Sequence, residues 1–429
     1  MTSSSVNPEA LLAGFENAGG WYDKELFSLA EIPEMGIGAA DDPLFRIPPS
    51  VILSPITSTL KDELKPEEWE SLNSWARLIL VMMWETARGA ESPWSCMPTS
   101  FDTPMFWPES DQQYLAGTDI EHRIGRAEAE ELYKDVLSPL IEARPDVFSQ
   151  AESFYTVDAF HVQGSRILSR SFNLPDPDDE DEEEEIVAMI PMADTLNAAS
   201  GCNNARLFDE DADHTMMSIK PIPAGAQIYN TYSELPNSEL LRKYGYVSLH
   251  QLDSDTTATL AKHDLLLDWL MGNPSDEVHI DGDRILHFAG LMREGLDMTD
   301  RIDWWLDEGQ DDSFSVTTEG VEEAYHAFAR LLLSDTHWQK AKKRGKLPEA
   351  HSDPETVSLL RQVIDDRLSR YPASLADDVT AVKQSPPPSV KAALAVRIGE
   401  QRALLATKAE CQVEEVAQVE PVKKKVKRS

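Results

Sequence analysis

The chain has 429 residues, 76 of them acidic against 39 basic, for a formal charge of −37. That length allows two or three domains around a sizeable core, and three widely separated cysteines (Cys96, Cys202, Cys411) exclude a disulfide framework and a Cys-rich zinc site. So acidic a surface argues against direct nucleic-acid binding, which is driven by cation release from phosphates, and suits a basic protein partner drawn in by the field.

The longest apolar run, LILVMMW at 78–84, is far shorter than the roughly 20 residues of a membrane helix. The opening MTSSSVNPEALLAGF lacks the basic-then-apolar layout of a secretion signal, so the chain is expected inside the cell with no membrane partner. After a short helical opening, EMGIGAADDPLFRIPPSVILSP (34–55) shows a Gly-x-Gly turn, then LFRIP and VIL as short strands punctuated by prolines. From Lys61 to about Gln150, apolar residues recur at helical spacing in EEWESLNSWARLILVMMWETA and RAEAEELYKDVLSPLIEA, separated by the loop PTSFDTPMFWPESD. AFHVQGSRILSRSF predicts a further helix, stopped by PDPDDEDEEEE (175–185), whose like charges keep it solvated.

IVAMIPMADTLNAASGCNNARLF reads as an apolar strand entering a polar turn, and MMSIKPIPAGAQIYNTY as a hairpin bent near Ala224-Gly225. Helical patterns return from about Asp253 to Asp378, as in HDLLLDWLMG and VEEAYHAFARLLL. The remainder, from QSPPPSV to KKKVKRS, reads as a loose helix or tail with a basic end. No internal repeat is visible. Gly36 and Gly38 open no dinucleotide fingerprint, because Asp41 stands where its third glycine belongs. GxxxxGK[ST], HExxH and GxSxG are all absent, so the signatures of a P-loop enzyme, a zinc protease and a serine hydrolase are missing, and no metal is expected.

One stretch poses a sharper question. IYNTYSELPNSELLRKYGYV (228–247) starts like a strand and ends like a helix, with Tyr232 and Tyr244 at the two ends of the corner. Packing alone explains such tyrosines, but three other stretches join this one in a fixed order. MGIGAADDPLFRIPPSVILSP, SRILSRSF (165–172), MIPMADTLNAASGCNNARL (189–207) and this corner together resemble the SET-domain protein-lysine methyltransferases. The subgroup they resemble has a helical insert and a helical C-terminal domain, as in the Rubisco large-subunit methyltransferase and fungal ribosomal-protein lysine methyltransferases. RYPASLADD (370–378) resembles the end of that C-terminal domain, so the likeness spans about residues 21–380.

The resemblance implies S-adenosylmethionine (SAM) as cofactor. Gly36, Ile37 and Gly38 then form a first wall where backbone approaches the methionine end; the plain alternative is an ordinary turn. Arg170 pairs with the cofactor carboxylate, as a planar fork suits that group, or else is a solvent-facing helix residue. Asn197 offers its amide to the ammonium and Ala198 its backbone to the adenine. Asx-turn chemistry at Asn197, Asn203 and Asn204 is the alternative. Asp194, with Arg170, sits near the substrate lysine, and Tyr244 packs over the cofactor. Trp75 either lines the substrate cleft or, as its amphipathic helix suggests, belongs to the core. Tyr232 aligns the lysine amine as the catalytic residue. Three departures from the family pattern stand out. Ala198 replaces the usual histidine, Ser233 stands where glycine is usual, and the segment from Trp94 to Pro98 is short.

The expectation is therefore an α+β chain: a SET-domain β-fold over 21–250 with a helical insert at about 61–150 and the acidic loop 175–185. An α-helical, substrate-binding-like domain follows over 251–380, with a C-terminal extension over 381–429. The expected activity is SAM-dependent lysine methylation of a basic ribosomal or nuclear protein by a monomer, in the nucleus first and the cytoplasm second. Two other readings stay open: an inactive SET-fold module binding lysine-rich segments, and an acidic chaperone for basic proteins.

Overall fold

The computed structural model describes residues 8–17, 19–22, 30–32, 36–38, 43–89, 97, 99–175, 185–198, 203–210, 213–223, 225–248, 272–294 and 298–419. The acidic run 176–184, the basic end 423–428, most of the segment from Trp94 to Pro98, Ala224 and residues 263–271 of HDLLLDWLMG lie outside them. The chain divides into two compact units: residues 1–106, 124–234 and 243–245, and residues 107–123, 235–242 and 246–429.

The first unit is built on short strands. Strands β1 (Trp21–Tyr22), β4 (Phe45–Ile47), β9 (Asp213–Ser218) and β8 (Ala205–Glu210) form an antiparallel sheet in that order. Strands β2 (Ala30–Ile32) and β3 (Gly36–Gly38) form a hairpin, as do β5 (Ser171–Pro175) and β6 (Glu185–Met189). Strand β7 (Asn197–Ala198) runs parallel to β10 (Tyr229–Asn230). Phe45, Ile47, Ile190, Leu196, Met216 and Ile228 bury their side chains together as the core of this part. A helical layer belongs to the same unit. The helix Ser74–Ala87 starts on Asn73, whose side chain accepts from the Ala76 N–H at 2.8 Å, and Val157–Arg170 starts on Thr156 in the same way. Leu78, Ile79, Met82 and Met83 from the first pack with Phe160 and Ile167 from the second.

Four local expectations change here. VIL is no strand: Pro49–Val51 is a single 3-10 turn and only Leu53 bridges to Met189, because Pro48 and Pro49 remove two ladder donors. The helix through SRILSR ends at Arg170, and Ser171–Pro175 becomes a strand because β6 supplies a partner. The stretch after Met217 is no hairpin. Pro221 and Pro223 interrupt it, so β9 pairs back onto β8 while Tyr229–Asn230 joins β7. RAEAEELYKDVLSPLIEA is helical but carries a π-helical turn at Tyr133–Leu137, just before Pro139, whose ring cannot continue the regular bonding.

The second unit is largely helical. It also contains an antiparallel meander absent from the sequence reading: β11 (Glu277–Asp281), β12 (Ser313–Thr317) and β13 (Gly320–Val321). Val278, Ile280, Phe314 and Val316 point from it into a core shared with the helices Glu323–Leu333 and Pro354–Ser369. Residues 107–123, read as part of the helical insert, belong to this unit. Asp119 is the reason. Its carboxylate accepts from the His279 backbone N–H (2.9 Å) and ring Nδ1 (2.8 Å) and from Arg367 Nη2 (2.9 Å), and its own N–H donates to Glu400 (3.0 Å). Burial pushes the Asp119 carboxyl up, but the His279 and Arg367 partners outweigh it and hold it below the usual range.

The C-terminal stretch is not a loose tail. Pro388–Val419 is one helix of 32 residues, with Ala393, Leu394, Ala395, Ile398, Ala403 and Leu404 buried. Its alanine-rich sequence has no single apolar stripe because it is enclosed on several sides, which hides it from a periodicity search. Adjacent residues report the packing directly, since Leu404 is fully buried and Leu405 is 39% exposed. Leu404→Ala should lower stability by about 2–5 kcal/mol and Leu405→Ala by no more than about 0.5 kcal/mol in urea unfolding. Equal small effects would mean that the helix is only loosely attached.

Candidate active site

All but one of the sequence-derived residues fall on or beside the place where β7 meets β10. Tyr229 pairs with Asn197 and Asn230 with Ala198, and β3, with Gly36, Ile37 and Gly38, lies against β7. Two residues beyond β10 comes Tyr232, whose hydroxyl donates to the Leu196 carbonyl at 2.8 Å. Its ring stacks on Tyr244, with centroids 4.3 Å apart and planes 7° from parallel. Tyr244 is the last residue of the helix Asn237–Tyr244, so the corner is closed by the tyrosines that flank it.

Burial pushes the Tyr232 phenol up to about 12; Arg170 opposes this, while Tyr244 and Asp194 add to it. The phenol is therefore neutral at physiological pH. Its single proton is committed to Leu196, which leaves the oxygen lone pairs as acceptors.

Arg170 ends its helix facing the 3-10 turn Ala193–Thr195. Its Nη1 donates to the Asp194 carbonyl at 2.7 Å and lies 3.5 Å from the Asp194 carboxylate. Burial raises the Asp194 carboxyl above its ordinary range, against the pull of Arg170. Among the described residues, Arg170 Nε and Asn197 Nδ2 are buried with no hydrogen-bond partner. A buried donor without an acceptor is costly, so the site has two donors for a polar group that the chain itself does not provide. A carboxylate-bearing amino-acid cofactor such as SAM fits them.

Arg170, Asp194, Asn197, Ala198, Tyr232 and Tyr244 all fall on or beside these elements. Trp75 does not; it packs against the helical core of Leu78, Ile79 and their neighbours. Asn204, read only as a turn residue, instead bonds across to Tyr229. A long-range partner of that kind leaves no spacing signal. Ser233 takes a positive φ of 69°, in the left-handed region where a Cβ is strained.

The fold defines a class: a SET-type β-fold with a helical layer and a largely helical second unit, as in the LSMT structures. Residues 291–404 match the family described as Rubisco LSMT substrate-binding. Structures of LSMT bound to lysine and AdoHcy, and of Rubisco LSMT bound to AdoMet, each superpose with a TM-score of 0.70 at 16% identity. They cover 96% of this chain and 92% and 93% of theirs, a likeness of fold. Ribosomal lysine N-methyltransferase 4 of Saccharomyces cerevisiae is 34% identical over 231 residues, 48% of this chain and 47% of that protein. The N-lysine methyltransferase SETD6 of Homo sapiens is 30% identical over 233 residues, 52% of this chain and 48% of that protein. The chain thus spans about half the length of the curated relatives it matches. Its fold is that of these LSMT structures.

The conformation at Ser233 can be tested by itself. Ser233→Gly removes the Cβ that resists positive φ but adds freedom to the unfolded chain, for a net gain of about 0.5–1 kcal/mol. A higher urea midpoint at unchanged slope is the expected result; a lower one would show that the serine hydroxyl holds the turn.

Proposed function

We propose that the chain is a SAM-dependent protein-lysine N-methyltransferase. The observation that carries this reading is the Tyr232 hydroxyl: it is neutral, bonded to Leu196, and set beside two buried, unsatisfied donors. When bound, SAM supplies a sulfonium-activated methyl group. Arg170 Nε and the Asn197 amide hold its polar amino-acid end. The backbones of Gly36, Ile37, Gly38 and Ala198 line the pocket, and Tyr244 covers it.

Tyr232 acts on the other reactant. An unperturbed lysine has a pKa near 10.4, so fewer than about one in a thousand is neutral at pH 7. A dry site disfavours its ammonium form. The lone pairs of Tyr232 accept an N–H of the neutral amine and orient its own lone pair, and weak C–H···O contacts stabilise a partly positive methyl. Asp194 and Arg170 flank the same lysine. Trp75, on this reading, supports the helical layer and does not touch the substrate.

A basic ribosomal or nuclear protein is the proposed substrate, in keeping with the charge of −37 and the likeness to a ribosomal lysine methyltransferase. The second unit, with its match to a substrate-binding family, contributes to holding it, and the enzyme works as a monomer. The second reading is a lysine-binding module without turnover. It rests on Ser233 at positive φ, where glycine is usual; Ala198, which acts through its backbone, does not bear on it.

One variant decides between them. Tyr232→Phe keeps the ring stack and removes the oxygen, and should lower the rate of methyl transfer to a basic protein substrate by about 10²–10³. SAM affinity by calorimetry should stay within about twofold, because the oxygen contacts the amine. A mutant retaining more than about a third of wild-type turnover returns Tyr232 to packing.

KKKVKR (423–428) on so acidic a chain directs nuclear entry on this proposal. Residues 415–429 fused to a fluorescent reporter should concentrate it in the nucleus, and an even distribution would count against the assignment.

A further inference from the structure

Strands β7 and β10 share only two residue pairs, too few to hold a register by themselves. Asn204 makes four hydrogen bonds, three of them to the chain at residues 227–229. Its backbone N–H donates to the Tyr229 carbonyl (3.0 Å), and its carbonyl accepts from the Ile219 N–H (2.8 Å). Its side chain repeats the pattern: Oδ1 accepts from the Tyr229 N–H at 2.8 Å, and Nδ2 donates to the Gln227 carbonyl at 3.1 Å.

The side-chain amide thus behaves as an extra peptide group laid along residues 227–229. Only a primary amide of this length offers an acceptor and a donor side by side. Aspartate would set an oxygen against the Gln227 carbonyl, glutamine is one carbon longer, and serine cannot span both groups. Tyr229 is three residues before Tyr232. A slip of one residue in this strand would turn each side chain to the opposite face and take the Tyr232 hydroxyl from Leu196.

We propose that Asn204 is a positioning residue for the reaction. It locks the register of β10 and through it the place of the Tyr232 oxygen, without touching substrate or cofactor. This rests on the methyltransferase reading above, and the experiment keeps the two apart. In Asn204→Ala, kcat should fall about tenfold or more, because small misplacement of an aligned group is expensive. KM for the protein substrate and SAM affinity should stay within about twofold. Asn204→Ala with Tyr232→Phe should be no slower than Tyr232→Phe alone, since a residue acting only through Tyr232 has nothing further to lose. Hydrogen exchange at the Tyr229 amide should quicken at least tenfold, while the Arg206 and Phe208 amides, which face β9 in the β8–β9 ladder, keep wild-type protection. If the alanine variant does not fold, Asn204→Asp carries the same kinetic measurements with the same expectation.

Additive losses in the double variant, or wild-type turnover together with a protected Tyr229 amide, overturn the proposal. If the wild-type chain itself transfers no methyl group, the functional reading falls. Exchange at Tyr229 then decides alone, and unchanged protection in the alanine variant overturns the pinning role.

Discussion

Two rungs of parallel pairing, Asn197 with Tyr229 and Ala198 with Asn230, are the constraint on which the rest of the site depends. A parallel pair needs a crossover, and here the β8–β9 hairpin supplies it between the two strands. The candidate site residues lie within a few residues of these rungs. Asp194 and Leu196 come just before the first strand, and Tyr232 just after the second. The Leu196 carbonyl then fixes the direction of the Tyr232 proton, which decides that the phenol oxygen faces the site as an acceptor.

Charge is used in two different ways. Over the surface, the large acidic excess provides a long-range field suited to a basic partner. Inside, several charges are tied to specific partners. Asp194 is buried beside Arg170, and in the second unit Asp119 is buried between His279 and Arg367. Breaking a buried pair by removing one partner typically costs about 3–5 kcal/mol, because the other charge is left stranded. Asp119 accordingly acts as an anchor, and it explains why residues 107–123 join the second unit although they are contiguous with the helical insert in sequence. Arg170 Nε and Asn197 Nδ2 are among the buried groups of the described residues left without a partner, and they lie in the candidate site.

Ser233 joins the chemistry of the site to its backbone. Glycine is the residue that adopts positive φ without strain, and this chain places a serine at 69° directly after Tyr232. Its N–H donates to the Thr231 hydroxyl at 3.1 Å, a local bond that offsets part of the strain. Strained backbone next to a reacting group persists where the surroundings over-determine it. Here the Tyr232 hydroxyl bond and the ring stack on either side of the turn do so.

The sequence by itself determined the α+β class, the order of the four motifs, and the helices whose apolar residues repeat at helical spacing, because these are local properties of composition and period. It also singled out Arg170, Asp194, Asn197, Tyr232 and Tyr244 through the resemblance those motifs carry. Only the tertiary structure decided which strands pair. Prolines at 221 and 223 look like hairpin punctuation in one dimension, yet Tyr229 bonds to Asn204 and pairs in register with Asn197, residues 25 and 32 positions away. It also decided that the alanine-rich helix Pro388–Val419 is core, that Trp75 packs into the helical layer, and that Asn204 serves a distant strand. Each of these depends on a partner brought near only by folding, and no spacing along the chain encodes the identity of that partner.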